Sequence, residues 1–382
     1  MDVARYGELR AYIQWLSEGR SEAAVHVSEM LVLDAGAWDA WFRDHTSAAV
    51  LTELLDVAHS DLGRNPERAL ALTEFAVRHA AAVPIPPFAL LAGVLLRGNA
   101  WKERGNALFQ TDDVRTALCA FLRAAEIFSA EPALELELAA ARRGEALARH
   151  KLGETDRAAE ILDQTLNVFR AVRDRHGIVL TRFYQGVVQF ELHQYDRAAS
   201  IFQEALADAA EIGDKEMVTR LHNNLGHCAE LLQDSGAAIA HLTRALRLFE
   251  ELGMTSERPR AVLGLAHLLA NQGALDEAVV QMQHVQHDFV ASGRLLQAAA
   301  TALDIVEVTT LAGDDRRACD IASRLVETFA CVGLSSEAMR ALSFVRNEGR
   351  RRALKREHIG AAWKFIHHLA AEPRAVFTPQ AL

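Results

Sequence analysis

The sequence predicts an all-α chain of stacked helical hairpins, a solenoid, and two observations predict it. First, one pattern recurs six times: Ala117/Phe121/Ala124, Ala158/Leu162/Thr165, Ala198/Phe202/Ala205, Ala238/Leu242/Ala245, Ala278/Met282/Val285 and Ala318/Ala322/Leu325. The first step is 41 residues and the next four are 40 each. Second, fixed flanking positions accompany it. Eleven residues past the leading Ala stands Phe128, Phe169, Phe249, Phe289 or Phe329, and in the third copy Ala209. Twelve residues before it stands Gly105, Ala146, Gly186, Gly226, Ala266 or Val306. A period of this size means stacked supersecondary units rather than one globular core.

Offsets of 4, 7 and 11 fall on one helix face, because the period is 3.6. Each unit therefore ends in a helix whose buried stripe begins small and finishes with Phe. The residue twelve positions earlier lies on a preceding helix, where a small side chain lets the two helices approach. Gly153, Gly273 and Gly313 mark the turn between them, since glycine suits the left-handed conformation that closes a helix. A lone hairpin cannot bury both sides of such a stripe, so neighbours must stack.

Taken in order, residues 1–45 hold Trp15, Trp38 and Trp41, three of the five Trp, without a repeat. They are expected to form a helical N-terminal cap. Ala69, Thr73 and Ala76 keep the repeat offsets and supply a seventh copy. Its step to Ala117 is 48 residues. The excess is expected in AAVPIPPF, where Pro84, Pro86 and Pro87 enforce an extended connection. About seven repeats thus span residues 46–334. In residues 335–382, SSEAMRALSFVRNEG reads as the first helix of an eighth unit and HIGAAWKFIHHLA as a capping helix. EPRAVFTPQAL is expected to fray.

The pattern resembles the tetratricopeptide repeat family. That family carries a small residue on its first helix and Ala, an aromatic or aliphatic residue, and Ala on its second. The clearest copy is WKERGNALFQTDDVRTALCAFLRAAEIF, residues 101–128. Common repeats of this family have about 34 residues. The longer unit is similar to kinesin light chains and to bacterial Rap peptide receptors, most of all in NNLGHCAELLQDSGAAIAHLTRALRLFEELG, residues 223–253. The resemblance covers about residues 46–345 and implies a right-handed superhelical solenoid. It also implies partner binding on a concave face lined by the first helices.

Composition bounds the rest. The chain has 382 residues, half of them apolar, and a net charge of −10. That charge argues against nonspecific nucleic-acid binding by the whole molecule. No run is long and apolar enough to span a membrane, and MDVARYGELR is unlike a secretory signal. Cys119, Cys228, Cys319 and Cys331 are too dispersed for a disulfide framework. A bacterial cytoplasm is the expected setting.

In the family frame the concave face receives Asn99, Lys102, Asn106, Arg143, His150, Phe183, Arg220, Asn223, His227, Arg260 and His267. Asparagine donates and accepts at once, which suits a peptide backbone. Arginine forks suit carboxylates and phosphates. KERGN, with Lys102 and Asn106, matches the start of the family's carboxylate clamp. Gly144, Leu180 and Tyr184 stand where the clamp needs its other polar residues, so it is incomplete. His227 and His267 share one repeat position, and their titration is expected to tune binding near pH 6–7.

Sixteen histidines raise the question of metal. His222/His227, His284/His287 and His367/His368 lack a complementary ligand set at zinc spacing, so neither metal nor cofactor is expected. The basic run RNEGRRRALKREH, residues 346–358, reads as a solvated helix joint paired with acids of the stack. No P-loop, GxSxG, HExxH or glycine-rich nucleotide turn is present. The expectation is therefore a non-catalytic scaffold holding a peptide or protein partner in a regulatory, signalling or defence complex. The alternative is a Rap-like receptor whose superhelix tightens around a peptide, although residues 1–45 look short for its N-terminal bundle. An enzyme is the remote third reading.

Overall fold

A computed structural model describes residues 3–85, 90–255, 257–330, 333–371 and 375–378. Every regular element among them is a helix, and the fold class is the helical-repeat solenoid that the period requires. The chain forms two compact units, residues 1–188 and 189–382. Pro86, Pro87 and Cys331 lie outside the described residues.

The first unit contains α1 (Val3–Leu31), α2 (Trp38–Asp44), α3 (Ala48–Asp61) and α4 (Pro66–His79). It continues with α5 (Leu90–Gln110), α6 (Val114–Ser129), α7 (Glu135–Lys151), α8 (Thr155–Ala171) and α9 (Arg175–Glu191) as far as Val188. The second unit takes the end of α9, then α10 (Tyr195–Ile212), α11 (Lys215–Leu231), α12 (Ser235–Leu252), α13 (Arg258–Asn271) and α14 (Leu275–Ala291). It closes with α15 (Leu295–Leu311), α16 (Asp315–Ala330), α17 (Ser336–Arg350) and α18 (Arg356–Ala371).

The repeated stripe is the core. Every position of the six copies is buried to 3 % exposure or less, and the terminal Phe or Ala to 4 % or less. Ala69, Thr73 and Ala76 on α4 are fully buried as well. Glycines on first helices make room for the bulky residue of the stripe. An added Cβ at Gly105 on α5 would lie 2.7 Å from the Phe121 ring, and one at Gly144 on α7 would lie 2.3 Å from it. In the second unit Leu242 is held the same way, 2.5 Å from a Cβ at Gly226 and 2.9 Å from one at Gly264. Phe121 on α6 and Leu242 on α12 thus each fit a slot cut by two first helices.

Both turns of the repeat use a left-handed residue. Between first and second helices it is Asp112, Gly153, His193, Gln233, Gly273 or Gly313, with φ from 58° to 87°. Between hairpins it is Arg173, Gly213, Gly253, Gly293 or Gly333. The next residue is often Asp, and its carboxylate caps the new helix: Asp113 accepts from the Thr116 N–H, Asp214 from Met217 and Asp234 from Ala237. At most of these turns the helices stop and restart across three residues, and each such cap contributes about 1 kcal/mol. Successive first helices therefore touch: α5 meets α7 in the first unit, and α11 meets α13 and α15 meets α17 in the second.

At the N-terminal end, α1 packs on α3 and α5. Trp38 and Phe42 meet Phe75 edge-on at 5.9 and 5.4 Å. At the C-terminal end, Ala338, Leu342, Ile359, Ala362 and Ile366 share a core with Phe329. The fraying expected of the last segment does not extend to residues 375–378. The Phe377 ring packs 5.0 Å from Phe365 and its N–H bonds Glu337, because an aromatic side chain beside an apolar cap buries area.

Candidate functional site

The first helices carry the expected polar residues, and each unit gathers its own set around one carboxylate, buried in the first unit and half-buried in the second. In the first unit that acid is Glu103 on α5. His59 Nδ1 lies 2.9 Å from its Oε2, Asn106 Nδ2 donates to the same oxygen at 3.0 Å, and Lys102 Nζ is 3.3 Å from Oε1. Burial opposes its charge, but Lys102, His59 and Asn106 outweigh it and hold the Glu103 pKa at about 2. Lys102 and Asn106 are thus both turned onto Glu103, which deepens the incompleteness of the carboxylate clamp. Beside them a cavity of about 290 Å³ is lined by Thr52, His59, Leu96, Asn99, Lys102 and Glu103 among others.

Arg143 on α7 lays its guanidinium 5.4 Å from the Phe169 ring centroid. Burial lowers its pKa, which Tyr184 and Asp174 partly offset. His150 Nδ1 lies 3.2 Å from Thr155 Oγ1. Phe183 on α9 meets Tyr184 edge-on at 5.4 Å.

In the second unit the acid is Glu230 at the end of α11. His227 Nδ1 lies 3.3 Å from Glu230 Oε2, and His267 Nδ1 on α13 lies 3.1 Å from Oε1. His267 Nε2 faces Asp304 of α15 at 3.7 Å. Three successive first helices are thereby joined through the single imidazole of His267, while His227 meets Glu230 within α11. Burial raises the carboxyl of Glu230, but the two histidines overcome it and lower its pKa to about 2. Burial also disfavours a charged His267, yet Asp304 and Glu230 raise it to about 10. His227 goes the other way: burial, only partly offset by Glu230, lowers its pKa. The expected titration of the pair near pH 6–7 is therefore corrected: both imidazoles are buried against Glu230, but Asp304 adds a second carboxylate at His267 alone, while Arg260 and His267 push His227 the other way.

The remaining residues of this set divide. Arg220 forks onto Glu257, with contacts of 3.1 to 3.2 Å. Arg260 keeps an exposed side chain, yet desolvation by the surrounding protein lowers its pKa, Glu191 and Glu257 draw it back, and it remains a cation. Arg260 also acts on His227 electrostatically, as does His267, so those three share one neighbourhood of α11 and α13, and Asn223 stands one turn before His227 on α11. Asn223 is 6 % exposed, and its Oδ1 has no hydrogen-bond partner.

The acids were not singled out in the sequence. Glu103 sits inside KERGN, and Glu230 follows His227 by three residues, a spacing that places both on one helix face. The histidine pairs weighed for metal do not assemble as such: His222 instead faces His241, with the Nδ1 atoms 2.9 Å apart. The basic run behaves as a joint, with Arg350, Arg351 and Arg356 meeting Glu327, Glu348 and Glu307.

Comparison with known proteins identifies the hairpin. Residues 177–251 match the tetratricopeptide repeat family model. The matched hairpins, α9 to α12, are tetratricopeptide repeats. No curated protein matches the chain. Among solved structures, a Rap protein complexed with competence and sporulation factor aligns over 93 % of this chain and 100 % of its own, at 18 % identity and a TM-score of 0.51. Aspartyl phosphate phosphatase F from Bacillus subtilis aligns over 95 % of this chain and 96 % of its own, at 14 % identity and a TM-score of 0.54. At such identities the likeness is one of fold. No helix among the described residues is long and apolar enough to cross a membrane.

Proposed function

We propose that the chain is a non-catalytic tetratricopeptide scaffold that holds a peptide or protein partner on its first helices, within a bacterial cytoplasmic regulatory, signalling or defence complex. One observation carries the reading. Among the described residues, buried polar atoms without a hydrogen-bond partner are Asn99 Oδ1, Arg104 Nε, Arg143 Nη1, Gln189 Oε1, Asn223 Oδ1, His227 Nε2 and Trp363 Nε1. All but Trp363 lie on first helices of the repeats. Leaving such a group unsatisfied costs about 1–3 kcal/mol, and a docked main chain would recover that cost as the side chains turn outward to meet it. Asn223 Oδ1 would accept a partner N–H, and Arg260 would take a carboxylate or carbonyl.

The test replaces Asn223 and Arg260 by Ala together and compares co-purifying proteins quantitatively with the unaltered chain, after circular dichroism shows helicity retained. Loss of a desolvated contact of this kind costs about 2–5 kcal/mol, so the specific partners should drop out. Partners kept at full occupancy would move the binding site off this face.

The second reading is a ligand-responsive receptor. It is favoured by the alignment over the whole length of the Rap protein that was crystallised with its factor. That alignment counts against the argument that residues 1–45 are too short for such a receptor. Small-angle scattering with and without partner separates the readings: a receptor compacts and a passive scaffold keeps its dimensions.

A further inference from the structure

We propose that His26, Glu29 and His45 form a zinc site that ties α1 to α2. One ligand atom from each residue lies within 4.8 Å of the others. His26 and Glu29 are three apart on α1, so both project from one face of that helix. His45 caps the C-terminus of α2 and brings the third donor across the connecting turn. Its Nδ1 lies 2.9 Å from the Trp41 carbonyl oxygen, which fixes that nitrogen as the N–H donor and leaves the Nε2 lone pair free. Metal-binding histidines are commonly oriented by such a bond from the other ring nitrogen. Trp41 also stacks on His45 at 4.2 Å, holding the ring plane. The His26 and His45 rings lie 4.7 Å apart at 66°, so a small rotamer movement would converge their nitrogens on one ion.

The donor set decides the ion. Two imidazoles and one carboxylate suit a borderline divalent cation, whereas magnesium and calcium prefer oxygen donors. With three protein donors, a tetrahedral zinc keeps one position for water or a further ligand. The site lies in the first unit, remote from Asn223 and Arg260 in sequence and unit, so it stands independently of the partner-binding reading.

The experiment uses the full chain, stripped with chelator and titrated with zinc against a chromogenic competitor. One zinc per chain should bind, and cobalt in its place should give the intense visible bands of a tetrahedral centre. Glu29→Gln alters an exposed side chain and spares the core. It should weaken zinc by at least the ~10- to 100-fold that loss of a mere orienting partner costs. His26→Ala and His45→Ala should abolish stoichiometric binding, with circular dichroism reporting that each variant is folded. Bound zinc should also raise the melting temperature of the unaltered chain, because an ion that binds only the folded state stabilises it. Absence of stoichiometric zinc in the unaltered chain overturns the proposal. So does undiminished affinity in Glu29→Gln together with His26→Ala, which would put the ion elsewhere, as at His222 and His241.

Discussion

Replacing Gly226 tests the packing logic of the whole repeat. Its Cβ would stand 2.5 Å from Leu242 Cγ, 2.7 Å from Cδ2 and 3.2 Å from the Leu242 backbone nitrogen. Leu242 cannot swing aside: it is fully buried, and its Cδ1 already abuts Gly264 on α13. Gly to Ala within a helix gains about 0.8–1 kcal/mol of intrinsic propensity. Overpacking a filled core costs about 1–3 kcal/mol. Gly226→Ala should therefore lose up to about 2 kcal/mol net, the overpacking cost less that gain. Gly226→Leu adds three more carbons to the same slot and should lose more. At about 2–4 °C per kcal/mol for a unit of this size, the alanine loss reads as several degrees in a thermal melt followed by circular dichroism. Gly360→Ala is the control, since a Cβ there meets nothing within 4 Å in the helix α18. It should keep the propensity gain and melt slightly higher. A Gly226→Leu protein that melts like the unaltered chain, or a Gly360→Ala protein that falls as far, would refute the slot.

Other expectations follow from the same geometry. Gln233 holds φ at 62° between α11 and α12, where a side chain costs about 1–2 kcal/mol; Gln233→Gly should raise stability against urea by about 1 kcal/mol after the entropy of a freer unfolded chain is deducted. Deleting residues 335–382 exposes the core around Ala322, Leu325 and Phe329, and the truncated chain should aggregate in light scattering. Glu230, lowered to about 2, contributes stability that is complete above pH 4.5 and lost as pH falls toward 2. His267, raised to about 10, contributes below pH 6.5 and loses that contribution as pH rises toward 10. His227, lowered by burial, contributes above pH 6.5 and loses it on acidification. Urea midpoints should thus peak near pH 6.5, and His267→Gln should flatten the alkaline side.

The stacked hairpins were legible because burial repeats in sequence as well as in space. Ala, Phe and Gly at offsets of 4, 7, 11 and −12 leave one way to pack. Gly144 and Gly264 were missed, although they cut the other half of the Phe121 and Leu242 slots, because they stand two residues before the position, shared by Gly105, Gly186 and Gly226, that periodicity picks out. The turns were half visible for a related reason. Glycine marks a left-handed residue, whereas Asp112, His193 and Gln233 adopt it only because the flanking helices force the chain through it. At the candidate site, periodicity placed His227 and His267 together but could not reveal what joins them. Glu230 and Asp304 belong to different repeat positions, and their partnership exists only once α11, α13 and α15 lie side by side.

Those acids sort the polar residues of the first helices by what each is free to do. Lys102 and Asn106 are engaged by Glu103, His267 by Glu230 and Asp304, and Arg220 by Glu257. An incoming carboxylate would have to displace a protein carboxylate from any of them. Arg143 rests on the Phe169 ring with Nη1 unpaired, and Arg260 is exposed, its nearest acids acting at a distance. The cationic positions open to a partner therefore narrow to Arg143 and Arg260, with Asn99 and Asn223 beside them as neutral acceptors. Two single substitutions expose the difference. Arg220→Ala breaks an ion pair that is more than a third exposed on each side, so it should cost about 0.5 kcal/mol of stability and leave partner binding nearly intact. Arg260→Ala should leave the urea midpoint unchanged and weaken partner binding by about 2 kcal/mol or more. If Arg220→Ala loses the partner while Arg260→Ala retains it, the Glu257 pair opens on binding and the division between structural and recognition cations drawn here is wrong.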